Sequence, residues 1–116
     1  MSNPVSWFEI NTANPDAMSQ FYADIFGWSF QDVEGGYKLI STGGESSIGG
    51  GLGPAQGPNQ VVFYVEVPDL ESALQQIEQG GGHTVVPITE IPNMVTFAQF
   101  ADPDGNVIGL FKGPGA

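Results

Sequence analysis

The sequence predicts an α+β fold built from a repeated β-α-β unit, and three observations predict it. First, VSWFEINTANPDAMSQFYADIFGW near the start and VVFYVEVPDLESALQQIEQGGGHTVV in the middle superpose without gaps at an offset of 55 residues. That offset sets Trp7 over Val62, Asn14 over Asp69 and Gly27 over Gly82. Second, in each copy an alternating apolar run gives way to an Asn or Asp cap and a helical stretch. Third, each helical stretch meets a glycine and then further β-rich runs. Repeated units of this kind build a curved mixed sheet with a concave cup and the helices on its outer face. Side chains on the concave face are the candidates for chemistry.

The first strand is expected over Val5 to Ile10. Asn14 then caps a helix from about Pro15 to Ile25, because Pro just inside a helix start and Gly27 just after its end follow the asymmetry of helix termini. Met18, Phe21, Tyr22, Ile25 and Phe26 form an apolar stripe at helical spacing, and the expectation is that they pack in the core. Short strands are expected at Ser29 to Gln31, Tyr37 to Ser41 and Ser46 to Gly49, bounded by Gly and Ser turns.

GGGLGPAQGPNQ, Gly49 to Gln60, reads as a flexible joint between two modules of about 1–53 and 58–116 within one domain. Its GxGxxG-like spacing is not a phosphate loop, which must lie between a strand and a helix. The second unit begins with a strand at Val61 to Val67. Asp69 then caps a helix over about Leu70 to Gln79, its carboxylate accepting from first-turn amides. Gly80 to Gly82 end that helix. Strands over Thr84 to Pro87, Thr96 to Ala101 and Val107 to Lys112 complete the unit. DPDGN, Asp102 to Asn106, joins the last pair as a hairpin, and it is too short of oxygen ligands for a calcium loop.

Composition bounds the function. The chain has 116 residues, 41% of them hydrophobic, which suits one compact domain. No apolar run approaches the ~20 residues that span a bilayer, and no leader is evident, so a cytoplasmic protein is expected. The absence of cysteine removes disulfides, thiolate nucleophiles and thiolate metal ligands. Thirteen acidic residues against Lys38 and Lys112 give a net charge of −11, which argues against nucleic acid as a partner.

The paired modules, the FYADIFGW segment after the first helix and the closing ADPDGNVIGLF segment together resemble the vicinal oxygen chelate superfamily. That superfamily includes glyoxalases, extradiol dioxygenases, fosfomycin resistance enzymes and bleomycin-binding proteins. The resemblance covers nearly the whole chain and implies two tandem βαβββ modules. Strand alternation then assigns faces. Phe8 and Ile10 pack beneath the first helix, leaving Trp7, Glu9 and Asn11 on the cup side. Val61, Phe63, Val65 and Val67 form the apolar row of the second unit, turning Val62, Tyr64 and Glu66 to the cup. Ile108 and Leu110 belong with the core, so Val107, Gly109 and Phe111 face the cup, with Phe97 and Gln99 beside them.

The resemblance also implies where metal ligands would stand: on the first strand of each unit, at Trp7 and Val62, and on the last, at Gly109 and within SSIGGGLG. None of these positions carries an imidazole or a carboxylate. His83, the sole histidine, lies in a turn. No metal and no cofactor are therefore expected. What remains is an aromatic and acidic lining of Trp7, Glu9, Val62, Tyr64, Glu66, Phe97, Gln99, Gly109 and Phe111. The expected function is metal-independent binding of a small molecule, cationic or aromatic, by a protein that forms a homodimer. The alternative is a glyoxalase- or dioxygenase-like enzyme using a metal or a carboxylate base in the same cup, with Glu9, Glu66 and Tyr64 as catalytic candidates.

Overall fold

The computed structural model of the chain describes residues 2–113. They divide into two compact units, one formed by Trp7–Val62 and the other by residues 2–6 together with 63–113.

In the first unit, β1 (Val5–Thr12) leads into α1 (Pro15–Phe26), then β2 (Ser29–Asp32), β3 (Lys38–Ser41) and β4 (Gly49–Pro54). β4 runs parallel to β1 and antiparallel to β3, and β3 is antiparallel to β2. The second unit repeats this connectivity. β5 (Gln60–Val67) is followed by α2 (Leu70–Gln79), β6 (His83–Ile91), β7 (Val95–Ala101) and β8 (Val107–Lys112). β8 runs parallel to β5 and antiparallel to β7, which is antiparallel to β6. The fold class is α+β, and the duplication is real: β1 and β5 begin at positions 5 and 60, α1 and α2 at positions 15 and 70.

The glycine-rich stretch corrects one expectation. The strand expected at Ser46–Gly49 starts only at Gly49 and runs to Pro54, through half of the segment expected to be a flexible joint. Its Leu52 is 0% exposed and packs with Ile10 and Ile40, the centre of the first core, against Phe8, Met18, Tyr22, Trp28 and Phe30. Burying a leucine side chain contributes about 1.5–3 kcal/mol, set against the low strand propensity of the surrounding glycines.

Helix ends follow local chemistry. Gly27 adopts φ 73°, and its N–H donates to Ala23 O, a left-handed C-cap that glycine takes without strain. Asp69 accepts from Ser72 N as expected, whereas the Asn14 side chain makes no cap bond and the Asn14 backbone N–H instead donates to Thr12 Oγ1. The helical stripe is only partly core. Met18 and Tyr22 pack inward, while Phe21, Ile25 and Phe26 are half-exposed at 50%, 56% and 59%.

In the second unit Val67, Leu70 and Leu110 form the core, with Val65, Leu74, Ile77 and Phe100 against it. Only the far end of the expected β5 row is covered, since Val61 and Phe63 are exposed. β6 extends four residues past the expected end at Pro87. In this unit it pairs with β7 alone, so no ladder partner needs the missing proline N–H. The DPDGN hairpin is locked by Asp102. The Asn106 side chain and amide, with the Asp104 amide, donate to its carboxylate and hold its pKa below the usual aspartate value.

Candidate functional site

Each unit turns one sheet face away from its helix, and those faces carry the candidate residues. In the second unit the register sets Tyr64 opposite Gly109 and Gly109 opposite Gln99. The next row on the same face sets Glu66 opposite Phe111 and Phe111 opposite Phe97. Six of the predicted residues therefore form two adjacent rows across β5, β8 and β7.

Tyr64 is buried, and its ring leans across the neighbouring strand onto Gly109. A Cβ at position 109 would lie 2.3 Å from the Cδ2 and Cε2 atoms of that ring, so nothing larger than glycine fits. The Tyr64 hydroxyl accepts from Gln99 Nε2 at 2.9 Å, which fixes the phenol in place. Phe97 stands edge-on to Tyr64, with centroids 6.4 Å apart and an interplanar angle of 70°. Glu66 is half-buried, and its Oε1 accepts from Ser6 Oγ at 3.1 Å. Its Oε2 rests over Gly113, where a Cβ would come within 2.4 Å.

In the first unit the register pairs Trp7 with Gly49, Glu9 with Gly51 and Asn11 with Gly53. Tyr37, absent from the sequence-based candidates, lies over Gly51 and Gly53 and donates its hydroxyl to Glu9 Oε2 at 2.9 Å. A Cβ at Gly53 would lie 2.7 Å from the Tyr37 ring, one at Gly51 would overlap its hydroxyl, and one at Gly49 would lie 2.9 Å from Trp7. The signal that could have found Tyr37 was the glycine run itself, because alternate glycines on a strand mark a face that something bulky covers. Ser6 and Gly113 were missed for a different reason: both act by holding Glu66, which alternation does not reveal. Val62, the remaining candidate, is buried at 1% exposure.

The four positions at which the resemblance places metal ligands can now be located. Glu9 pairs with Gly51 as Tyr64 pairs with Gly109, so Gly51 is the first unit's counterpart of Gly109. Trp7, Val62, Gly51 and Gly109 offer no donor side chain, and a tyrosine closes each of the two glycine positions. Among the described residues no three of His, Asp and Glu lie close enough to hold an ion together. His83 is exposed at the start of β6, paired with Ala101. These residues do not fit the metal that the resemblance implies.

Charge on these faces is negative. Lys38 aligns with Leu52 on the core side of β3, where Asp32 at 2.7 Å and Asp16 at 3.0 Å hold it and raise its pKa. Lys112 alternates with Phe111 and so leaves the opposite face of β8, lining a shallow recess of about 290 Å³ with Glu90, Met94 and Thr96. Neither lysine shares a face with Glu9 or Glu66.

Comparison with known proteins places this geometry in a family. A family model described as Glyoxalase/Bleomycin resistance protein/Dioxygenase superfamily matches residues 5–110. The chain is 26% identical over 116 residues to "Putative glyoxylase CFP32" of Mycobacterium tuberculosis, covering 92% of this chain and 44% of that protein. It spans less than half the length of the curated relatives it matches. Among solved structures it resembles methylmalonyl-CoA epimerase from Mycobacterium tuberculosis, with a TM-score of 0.66, 15% identity and coverage of 93% of this chain and 86% of that one. It also resembles the Mn(II)-bound glyoxalase from Novosphingobium aromaticivorans, with a TM-score of 0.65, 18% identity and coverage of 96% and 40%. At these identities the structural likeness shows the fold.

Proposed function

The chain belongs to the glyoxalase/bleomycin resistance protein/dioxygenase superfamily, and on that premise we propose that it is a small-molecule binding protein that works without a metal ion, holding its ligand against an aromatic and carboxylate-bearing sheet face. One observation carries this reading. The Tyr64 ring lies on Gly109, so the position where a ligating carboxylate would stand has neither a donor nor room for one. Aromatic faces with a few fixed polar groups suit recognition of small organic molecules. Here the polar groups are the Glu66 carboxylate steadied by Ser6 and the Tyr64 hydroxyl steadied by Gln99.

A second reading, an enzyme of the glyoxalase or dioxygenase kind, is favoured by the 2.9 Å contact between Tyr37 and Glu9. A phenol beside a carboxylate is the pairing that general acid–base chemistry uses. In that reading Glu9, paired with Tyr37, exchanges protons on the first unit's face, and Glu66 and Tyr64 are the candidates on the second unit's face. The proposal also includes a homodimer, to which the half-exposed Phe21, Ile25 and Phe26 lend an apolar surface.

Native mass spectrometry of protein exchanged against excess Mn²⁺, Ni²⁺ or Zn²⁺ and then desalted tests both readings. The expected spectrum shows metal-free subunits assembled as dimers. One retained ion per chain would overturn the metal-independent reading and favour the enzyme.

A further inference from the structure

Resting on the binding reading above, the geometry points to a ligand class: we propose that the second unit's face binds an alkylammonium cation. Two rows on neighbouring strands put Tyr64 and Phe97 edge to face, Phe111 across from Phe97, and Glu66 across from Phe111 in the strand register. Phe97 and Phe111 oppose each other on the antiparallel β7–β8 pair, which sets their Cβ atoms about 5 Å apart. Glu66 stands one strand further on, across the parallel β5–β8 pair, where neighbouring strands are about 4.8 Å apart. An alkylated ammonium resting over Phe97 and Phe111 is therefore within reach of Glu66.

Ring faces attract a cation through their quadrupole, by about 0.5–2 kcal/mol according to exposure, and they tolerate the methyl groups that a hydrogen-bonding site would reject. The carboxylate supplies the counter-charge. Among the described residues the ion pairs are both made by Lys38, and neither lysine forms one with Glu66. Ser6 holds one carboxylate oxygen and the backbone at Gly113 borders the other, which keeps the charge in place. The same composition rejects anions, because no basic side chain shares this face and the chain carries −11 overall.

Titration calorimetry at low salt with choline, and with its neutral isostere in which carbon replaces the quaternary nitrogen, reads the inference directly. Choline is expected to bind saturably and the isostere at least about tenfold more weakly, since the two differ only in charge. Glu66→Gln should weaken choline about tenfold, and Phe97→Leu or Phe111→Leu about fivefold, with the circular dichroism of each variant confirming its fold. Equal binding of the two compounds, or no saturable binding of choline up to about 10 mM, overturns the ligand class. The metal-free spectrum would still stand in that case, whereas a retained metal ion would overturn the reading beneath it, so the two failures are distinguishable.

Discussion

A methyl group at position 109 would meet the Tyr64 ring at 2.3 Å, well inside van der Waals contact. Gly109→Ala is therefore expected to lower stability by about 1–3 kcal/mol, the usual cost of overpacking, as measured by urea unfolding. In a Tyr64→Ala background the same change should cost close to nothing, because the ring it strikes is gone. A cost that persists unchanged would mean that the ring does not occupy that space. Alternation along β5 made Tyr64's face legible in the sequence, since period-two spacing dictates sidedness. Its sideways lean onto β8 was not legible, because that depends on a glycine 45 positions away in the chain and on Gln99 reaching the hydroxyl.

The elements divide by whether local chemistry decides them. α2, the DPDGN turn and β8 end where the sequence says they should, because a capping aspartate, a glycine exit and a turn with its own Asp102–Asn106 bonds are short-range signals. From sequence alone β4 reads as a joint because Gly and Pro crowd there and periodicity vanishes, and what makes it a strand is pairing on both sides, with β1 and with β3. Hydrogen exchange is expected to show the amides of Gly50–Gly53 protected to the same degree as those of β1 and β3. Exchange at the rate of an unstructured peptide would restore the linker reading. β6 shows the converse control. Register shifts between Thr84 and Val86 and between Val86 and Thr89, with Pro87 among them, interrupt the long strand. Within its unit such irregularity is how an edge avoids pairing with another chain.

Across the whole molecule, two lysines and 13 acidic residues leave self-repulsion as the dominant long-range term. Melting temperature is therefore expected to rise as sodium chloride is added from a few millimolar to about 0.5 M, where the screening length falls to a few ångström. A fall over that range would show that the pairs at Lys38 matter more than the repulsion. The duplication at 55 residues made the fold readable, because both copies had to satisfy the same cap, helix and strand pattern. The site was readable only as a set of faces, since what fills each face is fixed by contacts between strands that alternation cannot supply. The tyrosine lying on Gly109 also sets the order in which this sequence can evolve. A ligating side chain cannot arise at position 109 while the ring covers it, and losing the ring first leaves a gap floored by bare backbone. Passage to or from a metal-binding descendant therefore runs through a weakened intermediate with small residues at both positions, so selection acts on the pair and not on either residue alone.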